Sequence, residues 1–219
     1  MDKYEKHCQD SFRKKNLTLT RLKSKEHQCA DFMWHLSGSD CVIVEVTSIG
    51  PDGRVEVAIK NAFEKKEVAI WDVQDPRFRR KIINKSPQIE STRVLHGLEL
   101  PSVLLLYDGR PPITSNQARA PEQWLREIAC GMFGKTTIVV NIPEQKTVGE
   151  YFSGKTDLCE IAKGISAVGT FVDKEGLDDV LVLFANPYTT HPLPIDALRK
   201  FIPNIDLRVV EESKVKVGL

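Results

Sequence analysis

A glutamate inside an apolar strand is the sequence feature that most restricts how this chain folds. Residues 41–47 form a strand-like run, and Glu45 stands in it among valine and isoleucine side chains. A second run covers residues 32–36, with Asp31 directly before it and a Ser-Gly-Ser-Asp turn signal after it, so the two runs are predicted to be adjacent antiparallel strands. A carboxylate in so apolar a strand is costly unless it is paired or binds a cation. The fold must therefore bring a partner to Glu45.

Composition is that of an ordinary globular domain, with 41% hydrophobic and 28% charged residues. No apolar stretch approaches the ~20 residues needed to span a bilayer, and the first residues are charged and lack the apolar core of a signal peptide. The five cysteines are odd in number and lack a Cys-x-x-Cys pair, which is typical of free thiols in a reducing compartment. We expect a cytoplasmic protein without a membrane partner.

Hydrophobic periodicity and turn signals predict one α/β domain. Helices are expected over residues 2–15, 75–97, 121–133 and 195–201, and strands over 17–22, 32–36, 41–47, 102–107, 136–140, 165–172, 180–184 and 207–210. Residues 55–59 and 68–73 are interpreted as two further strands, with a helix over 58–66 as the competing interpretation. Residues 1–145 are predicted to form an α/β core, which a β-hairpin and helix in residues 146–219 extend within the same domain.

The strand pair predicts a site for a divalent cation. Glu45 and Thr47 are two residues apart and project from the same face of their strand, and the turn before residue 41 brings Asp31 towards them. Two carboxylates within a few ångströms repel each other unless a cation lies between them. Mg²⁺ suits such a site because it needs few protein ligands and retains several waters. Since a metal-bound water loses its proton more easily and can attack phosphorus, hydrolysis of a phosphate ester is the expected chemistry.

Basic residues cluster although the formal net charge is only +1. The clusters lie at residues 13–15, 21–25 and 77–85, and the second immediately precedes Asp31. Cations beside acidic metal ligands are what a phosphodiester substrate needs, because its backbone must be attracted despite the negative charge of the site. For any one cluster taken alone, a solvated surface is the competing interpretation.

These residues resemble the PD-(D/E)XK, or restriction-endonuclease-like, nuclease superfamily. Its signature is an aspartate on one strand, then an acidic residue, an apolar residue and a lysine on the next; Asp31 corresponds to the aspartate and Glu45-Val46 to the acidic and apolar positions. The resemblance covers residues 1–140 and implies a central mixed sheet flanked by helices, with the core order helix, three-stranded meander, helix, strand. It also implies Mg²⁺ or Mn²⁺ held by Asp31, Glu45 and the backbone carbonyl of Val46. Glu5 corresponds to an accessory acid that many members carry on the first helix.

Thr47 departs from the signature because it stands where the lysine is expected. A threonine cannot supply the positive charge that positions or deprotonates an attacking water. Lys85 is the candidate replacement, since it occupies a slot in an otherwise apolar stripe on the helix predicted after residue 75, with Gln88 one turn further on. The apolar members of this stripe are Phe78, Ile82 and Ile89. A lysine whose stem lies along the surface is the competing interpretation, and Pro87 is expected to kink or divide the helix.

The sequence therefore predicts a divalent-metal-dependent nuclease. Asp31, Glu45 and Lys85 are the principal catalytic candidates, supported by Gln88 and Thr47. Nucleic acid is the expected partner, with DNA favoured over RNA and a homodimer left open. The competing hypothesis is a catalytically inactive nuclease-like domain that binds nucleic acid or a protein partner, and the missing motif lysine is its main support. A simple ion pair between Glu45 and a basic residue would explain Glu45 but not Asp31 on the facing strand.

Overall fold

The protein is an α/β structure built around a seven-stranded mixed sheet. The computed structural model describes residues 1–22, 29–37, 40–51, 76–96, 99–110, 121–141, 146–153, 162–174, 177–202 and 204–209. The strands and helix considered for residues 55–73 lie outside these residues. Within them, no helix is both long enough and apolar enough to cross a membrane.

Four helices and nine strands are formed by the described residues. The helices are α1 (Lys3–Lys14), α2 (Pro76–His96), α3 (Pro121–Phe133) and α4 (Ile195–Phe201). The strands are β1 (Thr18–Arg21), β2 (Phe32–Ser37), β3 (Asp40–Ile49), β4 (Ser102–Asp108), β5 (Lys135–Asn141), β6 (Lys146–Ser153), β7 (Ala167–Lys174), β8 (Leu177–Ala185) and β9 (Asp206–Val209). Apart from β6, each of these elements was expected from periodicity and turn signals.

The large sheet has the strand order β1-β2-β3-β4-β7-β8-β9. The first three strands form an antiparallel meander. β4 then runs parallel to β3, and β7 runs parallel to β4, so β4 lies in the centre of the sheet. Residues 102–107 of β4 are all buried, as is usual for an almost uniformly apolar strand in the centre of a sheet. β7 and β8 pair as an antiparallel hairpin, and β9 runs parallel to β8 at the sheet edge.

β5 and β6 form a separate two-stranded antiparallel sheet. The strand expected over residues 136–140 is present, but its partner β6 was not predicted. Gly149 interrupts the run of strand-forming residues in β6 and lies opposite Val139, next to an irregularity in the pairing. Since glycine weakens a strand pattern, the sequence signal for β6 is poor.

Alternate residues of β3 divide between two hydrophobic cores. Val42, Val44 and Val46 belong to the core beneath α1 and α4, whereas Ile43 and Ile49 belong to the core beneath α2 and α3. Because successive side chains of a strand point to opposite faces, Glu45 and Thr47 lie on the α2 side of the sheet. The inward face of α1 packs on the first core, with the side chains of Cys8, Ser11 and Phe12 buried.

α2 is a single helix from residue 76 to residue 96, so Pro87 does not divide it. The predicted stripe is confirmed, since all three of its apolar side chains are fully buried against the sheet and α3. Lys85 belongs to the same stripe and is carried towards β3. This helix therefore places a basic side chain over the strand that contains the buried glutamate.

Candidate active site

The strand register places Asp31 beside Glu45. Phe32 of β2 and Val44 of β3 are the last pair of an antiparallel ladder, so Asp31, one residue before Phe32, lies beside Glu45. The Asp31 carboxylate accepts a hydrogen bond from the backbone N–H of Val46 through Oδ2 at 2.8 Å. Its own carbonyl accepts from the N–H of Leu22 at 2.9 Å. The side chain of Asp31 thus ends the β2–β3 ladder by bonding a strand N–H that β2 no longer reaches.

Glu45 is buried, and Lys85 supplies its ion-pair partner. Nζ of Lys85 lies 2.6 Å from Oε1 of Glu45, with 1% of the Glu45 side chain and 24% of the Lys85 side chain exposed. Burial raises the pKa of Glu45 to about 7, the neighbouring charge of Asp31 adds to the rise, and Lys85 opposes it. The carboxyl therefore changes its protonation near neutral pH, where a small change in its surroundings alters its charge.

Asp31 lies in a concentration of negative charge. Burial raises its pKa, the hydrogen bond from Val46 opposes that rise, and the charge of Glu5 on α1 raises the pKa further. Glu5 is itself held by Arg21, whose NH2 donates to Oε2 at 3.0 Å. The accessory acid expected on the first helix is thus close enough to act electrostatically on Asp31. The negative charge of Glu5 on α1 therefore acts on Asp31, which directly precedes β2.

The two carboxylates fit a cation that takes few protein ligands. Among the described residues, no three His, Cys, Asp or Glu side chains come together as a metal site. Oε2 of Glu45 is nevertheless buried and has no hydrogen-bond partner of ordinary geometry in the described part of the chain. A buried carboxylate oxygen in that state is a candidate cation ligand. Asp31, Glu45 and the carbonyl of Val46 are the groups that could hold such a cation, with its remaining positions left to water.

Thr47 and Gln88 are placed near this pair by their elements. Thr47 is buried on the same face of β3 as Glu45. Gln88 follows Lys85 by one turn of α2 and is half-buried. Its backbone carbonyl accepts from the hydroxyl of Thr92 at 2.8 Å, and that hydroxyl accepts from the N–H of Ala30 at 2.7 Å. Thr92 thereby ties α2 to the residue before Asp31; sequence reasoning missed it, although it continues the inward stripe three residues after Ile89.

Arg93 is a buried residue that the sequence did not single out. Its guanidinium donates to the carbonyls of Leu100 and Gly164, at 2.7 and 2.5 Å, and to the hydroxyl of Ser102 at 3.0 Å. It also pairs with Glu90 of the same helix at 2.6 Å. These bonds join α2 to the start of β4 and to the segment before β7. Its position four residues after Ile89 is the sequence signal that would have identified it.

A second cluster of charges lies at the end of β4. Arg110 donates twice to Asp108, at 2.8 Å each, and pairs with Glu127 of α3 at 2.6 Å. Its guanidinium lies 5.1 Å from the ring centroid of Trp124. The sequence did not single out these residues. The pairing joins residues from two different elements, and nothing in the local sequence pattern indicates it.

Comparisons with protein-family models, with curated proteins and with solved structures found no significant match to this chain.

Proposed function

We propose that this protein is a divalent-metal-dependent nuclease of the PD-(D/E)XK type, which hydrolyses phosphodiester bonds of nucleic acid, preferably DNA. One observation carries the proposal: Nζ of Lys85 lies 2.6 Å from the buried carboxylate of Glu45. The register sets Asp31 beside that glutamate. A lysine from α2 therefore provides, beside the acidic pair, the positive charge that Thr47 does not provide from the strand.

The order of elements supports the same proposal. α1 is followed by the β1–β2–β3 meander, then by α2, and then by β4. This is the order helix, three-stranded meander, helix, strand that the resemblance implies. β4 also runs parallel to β3, directly beside the strand that carries Glu45. Fold does not imply function, so the weight of the proposal rests on the side chains.

Each residue of the site has a separate role in the proposed reaction. Asp31, Glu45 and the Val46 carbonyl would hold Mg²⁺ or Mn²⁺, which when bound acidifies its water and stabilises negative charge on the phosphate. The Val46 N–H holds one Asp31 oxygen in a fixed orientation, so the carboxylate need not be ordered when substrate arrives. The Lys85 ammonium orients the attacking water or contacts the phosphate. Gln88 and Thr47 supply neutral hydrogen-bonding groups on either side.

Cleavage of labelled single-stranded DNA, double-stranded DNA and RNA with Mg²⁺ or Mn²⁺ tests the proposal. Because Glu45→Gln removes the carboxylate and Lys85→Met removes the ammonium, each is expected to lower cleavage by about 10²-fold or more. Lys200→Met is the control, since Lys200 is an exposed lysine on α4 outside the three basic clusters. The proposal fails if the wild-type protein cleaves none of these substrates and calorimetry detects no Mn²⁺ binding.

A catalytically inactive nuclease-like domain is the second candidate. Glu45 is 1% exposed and already paired with Lys85, which is also the arrangement of a purely structural ion pair. Under this alternative the protein binds nucleic acid or a protein partner, and Asp31 serves to end the strand ladder. DNA binding by the wild type with neither cleavage nor Mn²⁺ binding would support this second function over the first.

A further inference from the structure

A pocket at the carboxyl ends of β3 and β4 has no role in the chemistry described so far. Its volume is about 330 Å³, which is at the lower end of the range for small-molecule sites, about 300–1,000 Å³. The backbone N–H of Gly109 donates to the carbonyl of Ile49 at 2.9 Å, so the two parallel strands are still joined at this point. The pocket is lined by residues of α1 and of the end of β4, namely Lys3, Tyr4, His7, Tyr107, Asp108, Gly109 and Arg110.

The wall formed by α1 is aromatic. The ring of Tyr4 lies 5.7 Å from that of Tyr107, and the ring of His7 lies edge-on to Tyr107 at 5.3 Å. Tyr107 is buried and anchors the group, whereas Tyr4 is half-buried and His7 is exposed. A Cβ at Gly109 would overlap the Tyr4 hydroxyl, so the glycine allows Tyr4 to approach the end of β4. Such a wall is suited to the flat face of a nucleobase.

Lys3 supplies the positive charge at the pocket. Asp108 lines the pocket and accepts from Arg110 through both of its oxygens, and Arg110 also pairs with Glu127, so these three side chains contribute no positive charge there. Nζ of Lys3 lies 4.7 Å above the ring of Tyr4, and among the described residues no carboxylate pairs with it. An ammonium beside an aromatic wall provides, in one place, the partners for a phosphate and for a base.

The pocket lies beyond the candidate active site on the same strand. Ile49 is four positions after Glu45, which is about 13 Å along a strand that rises about 3.3 Å per residue. Glu45 faces α2 and Tyr107 faces α1, so a polynucleotide that reaches both must cross the carboxyl-terminal edge of the sheet.

We propose that this pocket binds one nucleotide unit of a polynucleotide held at the Asp31–Glu45–Lys85 site, with its base against Tyr4 and His7 and its phosphate against Lys3. The inference rests on the proposed function, because it names a contact of that substrate away from the reacting phosphate. It assigns the pocket a binding role and no part in the chemical step.

Binding of fluorescein-labelled single-stranded DNA of about 12 nucleotides, measured by anisotropy in EDTA over a series of salt concentrations, tests the pocket without cleavage. Lys3→Glu is expected to weaken binding and to reduce the salt slope by about 0.7, the value for one phosphate contact on a single strand. Lys6→Glu, with the same charge change on an exposed position outside the pocket, is the control. Tyr4→Ala is expected to weaken binding about five-fold or more, whereas Tyr4→Phe, which keeps the ring, retains wild-type affinity.

Gly109→Ala gives a variant without a charge change, since the added methyl displaces Tyr4 from the pocket; it is expected to weaken DNA binding as Tyr4→Ala does. Thermal unfolding of each variant is measured to check that the fold is retained. In a second arm, 5′-AMP replaces DNA, and backbone amide shifts of Tyr4 and His7 are followed by NMR. Tight binding of AMP with no effect of Lys3→Glu on DNA binding would assign the pocket to a free nucleotide and overturn the proposal.

The two proposals fail in different ways. If Glu45→Gln abolishes cleavage but the pocket variants bind DNA as the wild type does, the nuclease proposal is supported and the pocket proposal is wrong. If the pocket variants lose DNA binding but no protein cleaves, the pocket contact stands and the catalytic proposal is wrong. Absence of DNA binding by the wild type in EDTA also overturns the pocket proposal.

Discussion

Replacing Lys85 by methionine removes the ammonium that faces Glu45 and keeps an unbranched side chain in the same slot of α2. The pKa of Glu45 is raised from 4.5 to about 7, first by burial and then by the charge of Asp31. An acid whose pKa is higher in the folded than in the unfolded chain destabilises the fold as pH rises, because the unfolded chain releases the proton first. In the wild-type protein this loss of stability runs from about pH 4.5 to about pH 7 and then stops.

The size of the expected stability change depends on the pH at which this loss of stability ends. Lys85 is the strongest influence that lowers the Glu45 pKa, so without it the folded-state pKa rises above 7 and the loss continues. Each further pH unit costs about 1.4 kcal/mol. At about pH 8 the Lys85→Met protein is therefore expected to be about 1 kcal/mol less stable, relative to the wild type, than at about pH 6. This is close to the largest difference expected over this pH range, because the Glu45 carboxyl of the folded Lys85→Met protein then remains mostly protonated.

Urea unfolding followed by tryptophan fluorescence, in EDTA at the two pH values, measures this difference. Lys81→Met is the control for removing a lysine from α2, and its stability relative to the wild type is expected not to change with pH. In a Glu45→Gln background the pH-dependent effect of Lys85→Met is expected to vanish. If Lys85→Met destabilises the protein equally at about pH 6 and about pH 8, the electrostatic link between the two side chains is refuted.

Two further predictions concern residues away from the acidic pair. Arg93→Lys keeps the charge but loses the planar guanidinium that donates to several buried acceptors, so the free energy of unfolding is expected to fall by about 2–3 kcal/mol. The control is Arg80→Lys at an exposed position of the same helix, which is expected to change the free energy of unfolding by less than about 0.5 kcal/mol. Equal urea midpoints for the two variants would contradict the structural role of Arg93. Burial raises the pKa of the Cys8 thiol to about 12. In the native protein, alkylation is therefore expected at the half-buried Cys41 well before Cys8, as measured by peptide mass spectrometry. Comparable alkylation rates at the two cysteines would show that the core beneath α1 opens readily.

Local patterns predicted the elements that position the candidate site. The turn signal after residue 36 and the alternation around it predicted the β2–β3 hairpin, and the register of that hairpin, with Phe32 opposite Val44, brings Asp31 beside Glu45. The apolar stripe on α2 predicted which helix face is buried, and so identified Lys85 as a basic residue on an inward face. These features were accessible because strand and helix periodicity are properties of neighbouring residues.

Contacts between distant segments were not accessible in this way. The stripe indicates that Lys85 points inward, but its pairing with Glu45 depends on α2 crossing β3 at one particular position. The hydrogen bond from Ala30 to Thr92 and the bonds from Arg93 to Gly164 likewise join segments more than 60 residues apart. No periodic pattern in one segment specifies the register of another segment packed on it.

The amino-acid order was thus sufficient to place two acids on facing strands, because turn chemistry and alternation act over a few residues. The identity of the partner of Glu45, the separate pairing of β5 with β6, and the charge cluster around Arg110 depended on how the elements pack in space. The physical reason is that burial and ion pairing depend on distance through the fold, whereas separation along the chain controls only the local conformations from which the fold is assembled.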